Sequence, residues 1–304
     1  MAVPSGGYRL AFDDDAAWLE QLRSAVDRRL LELLPSGAAG PARLLEAARY
    51  ALLSPGKRFR PLITLLAVRE FGGDSTLALD AACAFEMVHA ASLILDDLPS
   101  MDDAQTRRGR PTTHRQFDEA TAILAAVGLL NRAFGVIAED ERLSSAVKAE
   151  LTRRLSDAVG FAGLVSGQAL DLGARDQTRT PAEMELLNHR KTGVLIAGAA
   201  EAGALIAQAP PEAVAAMGRF AVHLGMAFQI HDDLLDVEGG LDLGKDLGQD
   251  EGMTTMVSAL GVGGAEAAME AHLAAAETAL VDVGARGLLA RYALGFFEAR
   301  KAAA

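Results

Sequence analysis

The stretch Leu93-Ile94-Leu95-Asp96-Asp97-Leu98-Pro99-Ser100-Met101-Asp102-Asp103 closes an apolar run, ALDAACAFEMVHAASLIL, on a cluster of carboxylates. A second apolar run, AVAAMGRFAVHLGMAFQI, closes in the same way on His231-Asp232-Asp233-Leu234-Leu235-Asp236. In both runs apolar residues recur at three- and four-residue spacing and cover most of the helix circumference. That pattern predicts two central, buried helices over about 75–97 and 211–237. Each greasy helix therefore stops on aspartates. Carboxylates at a helix C-terminus oppose the macrodipole, at about 0.3–1 kcal/mol each when exposed. A lone acidic helix end is usually just solvated, but two such ends on two buried helices call for a compensating cation.

Spacing sharpens this reading. Asp232, Asp233 and Asp236 lie three, four and seven residues after Gln229, so all four side chains share one helix face. In the first cluster Pro99 breaks the helix, and the residues between Asp97 and Asp102 let the later aspartate fold back toward Asp96. His89 is seven residues before Asp96 and faces the same way.

Away from these helices the same period continues, as in PLITLLAVREF, and strictly alternating β-branched runs are missing. The chain reads as all-α. Breaks at 34–41, 71–74, 172–181, 209–211, 237–244 and 261–264 divide it into about ten to thirteen helices. Thr180-Pro181-Ala182-Glu183 combines an N-cap threonine, a proline at the first helical position and a glutamate placed for a capping box, so a helix is predicted to start there. No long linker separates two composition regimes, so residues 1–304 are read as one domain.

The chain has 304 residues, of which 50% are hydrophobic, enough to enclose a site within a core. No uninterrupted apolar stretch of about 18 residues appears, and the first fifteen residues carry neither a secretory nor a transit pattern. A cytoplasmic protein without a transmembrane segment is expected. The single cysteine, Cys83, sits in an apolar run and reads as core filler. A net charge of −12 argues against a nucleic-acid partner. It also sets a condition on anionic substrates. A carboxylate and a phosphate about 4 Å apart repel by roughly 4 kcal/mol at an effective dielectric of about 20, so they coexist only with cations between them. All-carboxylate ligation without cysteine points to Mg2+, or Mn2+, rather than zinc.

Basic residues gather around the same motifs: Gly56-Lys57-Arg58-Phe59-Arg60-Pro61, Arg107-Arg108-Gly109-Arg110, Lys191-Thr192 and Lys245. Basic runs are commonly solvated faces. Beside two carboxylate clusters in an acidic chain they read as phosphate clamps, and two separate basic groups imply two phosphate-bearing substrates.

Taken in order, GKRFRP, EMVHAASLILDDLPSMDDAQTRRGRPTTH, GLVSGQALDL, HRKTG, FQIHDDLLDV and GKDLGQDEGMTT resemble the trans-polyprenyl diphosphate synthases, and most closely the geranylgeranyl diphosphate synthases of the bacterial carotenoid-pathway type. The resemblance implies an isoprenoid synthase fold, a single helical bundle around a central cavity, usually as a homodimer. It implies head-to-tail condensation of isopentenyl diphosphate with an allylic diphosphate through a magnesium-stabilised allylic carbocation. By position, Asp96, Asp102 and Asp232 correspond to direct ligands of three magnesium ions, with Asp97, Asp233 and Asp236 acting behind them or through water. Arg107, Lys191, Thr192, Gln229 and Lys245 correspond to residues holding the allylic diphosphate. Lys57, Arg60, His89 and Arg108 correspond to the pocket for isopentenyl diphosphate. Asp96, Asp102, Asp232, Lys191 and Arg107 are thereby the expected catalytic set. Gln168 and Asp171 either orient polar groups at the site or join two helices by a hydrogen bond.

The family's chain-length position, five residues before the first aspartate, holds Ala91 instead of a bulky aromatic, with Met87 and Val88 one turn further back. The resemblance then implies geranylgeranyl diphosphate as product, with farnesyl or longer products as alternatives. One departure stands out: Gly252-Met253-Thr254-Thr255 has methionine where many relatives carry lysine. A class I terpene cyclase would leave GKRFRP, His89 and the paired arginines without a purpose. A non-catalytic partner subunit is a further alternative, against which the intact aspartate clusters argue.

Overall fold

The computed structural model describes residues 12–36, 40–173, 179–238, 255–281, 283–285 and 287–301. Among these, thirteen α-helical segments follow one another: α1 Phe12–Leu33, α2 Ala42–Leu52, α3 Phe59–Glu70, α4 Leu79–Asp96, α5 Thr113–Gln116, α6 Glu119–Glu139, α7 Ser145–Val159, α8 Leu164–Gly173, α9 Pro181–Asn188, α10 Val194–Ile206, α11 Pro211–Glu238, α12 Met256–Val281 and α13 Leu288–Lys301. Local chemistry sets several of their starts. Asp118 caps α6 by accepting from Thr121 N at 2.7 Å, and Ser144 caps α7 through Val147 N. The predicted capping box opens α9, where Thr180 and Glu183 accept from each other's backbone N–H groups.

The core forms two apolar clusters. One is built on α1, α2, α4, α6 and α7, the other on α11, α12 and α13. Helices α3 and α10 belong to both. On α3, Leu65 and Val68 face the first cluster while Ile63, Leu66 and Ala67 face the second; on α10, Leu195 and Ala199 face the first and Ile196 and Ala200 the second. These two segments are apolar all round because protein covers them on every side.

Among the described residues, three helical stretches are long and apolar enough to cross a membrane by length and composition: Ser75–Asp96, Glu119–Glu139 and Pro211–Leu235. The first and third are 72% and 67% buried within the bundle, so core burial accounts for their composition. The middle one, α6, is only 39% buried and leaves Ile123, Leu124 and Val127 exposed.

The architecture departs from the all-helical reading in small ways. Thr106–Arg107 and Arg110–Pro111 form a two-stranded antiparallel hairpin, β1 and β2. Its two-residue turn has φ of +54° at Arg108 and +72° at Gly109, the positive values that a tight hairpin requires. The predicted break at 261–264 falls inside α12: Gly261, at φ +73° and ψ 165°, leaves helical geometry, so Met256–Val281 is two helical stretches meeting at a kink. A break absent from the sequence reading separates α7 from α8, where Gly160 N donates to Ser156 O at 2.8 Å.

Candidate active site

Helix α4 ends at Asp96, and the Pro99 loop turns the chain back on itself. Asp102 N donates to Asp96 O at 2.9 Å and Asp103 N to Leu98 O at 3.0 Å, as the spacing predicted for the later aspartate. The Asp96 carboxyl is pushed up to about 6. Burial is the main cause; Asp102 and Asp97 add to it, and Lys191 and Arg107 oppose it. A half-buried carboxylate among carboxylates is a place that favours a cation.

Lys191 and Thr192 belong to a π turn, His189–Gly193, inserted between α9 and α10. Such turns displace a helix register locally and frequently mark functional sites. Here α8 approaches the turn closely. A Cβ on Gly167 would lie 2.5 Å from Lys191 N and 2.8 Å from its Cα, so only glycine lets the turn pack there. One turn further along α8, Asp171 Oδ2 accepts from Lys191 Nζ at 2.5 Å. Gln168 reaches the other way and donates to Met101 Sδ at 3.8 Å, in the aspartate loop, while its Oε1 is buried without a partner. Gln168 and Asp171 of GLVSGQALDL thus reach the aspartate loop and Lys191 respectively.

Helix α11 packs on the π turn so closely that a Cβ on Gly225 would lie 3.3 Å from Gly193 Cα. Gln229 and Asp232, one and two turns later, are carried to the same end of the bundle as Lys191. Gln229 Nε2 donates to Asp233 Oδ1 at 3.1 Å, and Asp233 Oδ2 accepts from Met256 N at 3.2 Å. Asp233 therefore also holds the first turn of α12. The Asp236 side chain, Lys245 and Met253 lie outside the described residues.

Beside the aspartate loop lies a basic nest. His89, Arg58, Arg107, Arg108, Glu86 and Asp97 share one pocket. Arg58 is buried with φ of +50°, its Nε donating to Asp27 Oδ1 at 2.6 Å and its Nη1 to Glu86 Oε1 at 3.1 Å. Arg107 is bound to Asp97, with Nε at 2.7 Å and Nη2 at 2.6 Å from Oδ1. Arg108 lies against the GKR loop so tightly that a Cβ on Gly56 would sit 2.5 Å from its Nη1. Lys57 is exposed at the edge.

Charge in this nest is unbalanced. Among the described residues neither Arg60 nor Arg108 forms an ion pair, and Arg60 Nε is buried without a partner. Burial pushes the Arg60 guanidinium down to about 10, with Arg108 adding to the effect against the pull of Glu86. Arg108 is lowered too, by burial and then by Arg58 and Arg107. His89 is held well below the usual histidine range by burial and by all four arginines, so its ring is neutral. Buried cations in excess of buried anions create a site for an added anion.

The expected chain-length residues are core residues of α4: Met87, Val88 and Ala91 are all buried. Phe85 is buried below them and packs on α10, where a Cβ on Gly198 would lie 3.0 Å from Phe85 Cε1. Arg58, read with its neighbours as part of a phosphate clamp, is instead committed to Asp27 and Glu86, and the local roles of Gly56, Glu86 and Gly167 escaped the sequence reading. Glu86 left a signal, a lone charge inside the apolar run ACAFEMVHAA.

With this geometry in place, comparison with known proteins is informative. A family model for polyprenyl synthetase matches residues 41–278. The chain is 47% identical over 262 residues to the geranylgeranyl diphosphate synthase of Pantoea ananas, covering 85% of each chain. It is 41% identical over 288 residues to the farnesyl diphosphate synthase of Geobacillus stearothermophilus, covering 93% of this chain and 97% of that one. Among solved structures, an FPP/GFPP synthase from Zymomonas mobilis superposes with a TM-score of 0.82 at 34% identity, covering 92% of this chain and 96% of the other.

Proposed function

The chain belongs to the polyprenyl synthetase family and is a prenyltransferase; from that premise we propose that it condenses isopentenyl diphosphate with allylic diphosphates to give geranylgeranyl diphosphate. The observation that carries this reading is the pairing of two opposite charge imbalances along α4, excess arginine around His89 and a raised carboxyl at Asp96. One suits a bare diphosphate, the other a diphosphate clad in metal.

The residues present fit magnesium. Asp96 and Asp102 offer hard oxygen donors from a folded-back loop, and a bound cation would favour the charged form of the Asp96 carboxyl that burial disfavours. Among the described residues no three ligating side chains form a cluster. Each ion would then complete its shell from water and diphosphate oxygens, the usual habit of magnesium. Asp96, Asp102 and Asp232 would hold the ions, with Asp97, Asp233 and Asp236 supporting them. Bound magnesium supplies Lewis-acid stabilisation of the departing diphosphate.

The chain's own groups do the rest. Lys191, Thr192, Gln229 and Arg107 grip the allylic diphosphate, and Asp171 aims the Lys191 ammonium. Lys57, Arg60, His89 and Arg108 hold isopentenyl diphosphate alongside, which supplies proximity. The apolar walls of α4 and α11 keep water from the allylic cation. The exposed Ile123, Leu124 and Val127 on α6 favour a homodimer in which a second copy covers this face.

Incubating the protein with isopentenyl diphosphate, magnesium and each short allylic diphosphate, followed by mass spectrometry, tests the reading. Geranylgeranyl diphosphate is expected as the final product; no condensation with any starter rejects it. The Geobacillus relative gives the farnesyl alternative its support. The Ala91→Tyr variant discriminates: shortening of the product to farnesyl diphosphate is expected, and an unchanged product removes Ala91 from the chain-length site.

A further inference from the structure

Glu86 is a buried carboxylate, 4% exposed, inside the otherwise apolar body of α4. An ionised side chain in such a place is costly unless it is paired and earns its position by holding something else in place. Its direct partner is Arg58, which is itself 4% exposed and also bridges to Asp27 on α1. Arg58 closes the GKR loop as the N-cap of α3, with Lys57 before it in the loop and Arg60 after it in the first turn of the helix. The Asp27–Arg58–Glu86 chain thus fastens that loop to α1 and α4 at once. On α4, Glu86 lies one turn before His89, and both line the pocket that receives Arg108.

Resting on the reading above, we propose that Glu86 is the positioning residue of the isopentenyl diphosphate pocket: an internal anion that keeps the Arg58 loop, Arg60 and Arg108 gathered around His89 while the pocket is empty. Physical need supports the assignment. Four guanidiniums approach one neutral imidazole, and Arg107 already has Asp97 as its own partner. Glu86 is the buried carboxylate whose field favours the charged forms of Arg58, Arg60 and Arg108 alike. Without it, mutual repulsion would drive the unpaired guanidiniums toward water, and isopentenyl diphosphate would have to gather them again on binding. The allylic site is fastened separately, by Asp171 on Lys191, and is unaffected.

Steady-state kinetics of Glu86→Gln and Glu86→Asp, with each substrate varied in turn and thermal unfolding recorded for both, test the proposal. Glu86→Gln is expected to raise KM for isopentenyl diphosphate on the order of tenfold, while KM for the allylic substrate stays within about twofold. Glu86→Asp, which keeps the charge, is expected to restore part of that loss. Equal changes in both KM values, or the same KM loss in both variants, would assign Glu86 to general folding and overturn the proposal. A fall in KM for isopentenyl diphosphate would also overturn it, by showing that the carboxylate merely competes with substrate. Should Glu86→Gln fail to fold, Arg58→Lys in the same assay makes the same distinction. Failure of the wild-type chain to turn over would reject the proposed reaction itself, whereas wild-type turnover with an unmoved KM in Glu86→Gln rejects only the role of Glu86.

Discussion

His89 and Asp96 stand two turns apart on one face of α4, and their surroundings are electrically opposite. Around His89 four arginines hold the imidazole neutral and push Arg60 down to about 10. Around Asp96, burial and neighbouring carboxylates push the carboxyl up to about 6 against the single ammonium of Lys191 and the guanidinium of Arg107. Each region penalises more of the charge it already has. Under the proposed function, the contrast offers a way to distinguish two substrates with the same anionic head. On that proposal the basic end would accept a diphosphate directly, and the acidic end would accept one only through divalent cations.

Breaking the acidic side is expected to have the largest effect. Asp96→Asn removes a carboxylate proposed to hold magnesium and should lower kcat on the order of 10³-fold or more, with KM for isopentenyl diphosphate nearly unchanged. Steady-state kinetics with both substrates varied will show it. Breaking the basic side is expected to do less to turnover and more to affinity. Arg108→Ala deletes a charge-assisted contact and should raise KM for isopentenyl diphosphate by about 10–100-fold while sparing the allylic KM.

The smallest effect is on stability. Because the folded Asp96 carboxyl titrates above its unfolded value, its contribution to stability is present below the unfolded value, near 4, and is lost as pH rises through about 6. The metal-free protein should therefore lose a few degrees of Tm, relative to Asp96→Asn, between about pH 4 and pH 7. Magnesium with pyrophosphate should recover this difference above pH 6. Thermal melts of the two proteins across pH, with and without those additions, measure it.

Much of the contrast is legible in the sequence because it is written locally. Asp96, Asp102 and Asp232 lie at the ends of apolar runs, and the return of Asp102 to Asp96 follows from Pro99 and a few residues of loop. The capping box at Thr180 and Glu183 is local too. What the sequence hides depends on contacts between distant elements or on unusual backbone. Nothing near HRKTG announces a π turn, and the glycine that packs against it, Gly167, arrives from another helix. The hairpin at 106–111 places an arginine at positive φ, where glycine or asparagine is the usual signal. Arg58 and Glu86 are 28 residues apart and meet only when α3 and α4 pack. The GVGG stretch, by contrast, is legible locally: Gly261 takes φ +73°, a conformation glycine adopts readily, and interrupts the helix there.

The most direct test of the two-ended cavity is calorimetric binding of isopentenyl diphosphate and of a non-cleavable allylic thiolodiphosphate, each with magnesium and with the metal chelated. The account expects chelation to change the Kd for isopentenyl diphosphate by less than about threefold, while the allylic analogue loses on the order of 100-fold in affinity, about 2.7 kcal/mol. Equal dependence of the two ligands on magnesium would contradict it, because the basic nest and the aspartate end would then not be separate diphosphate sites.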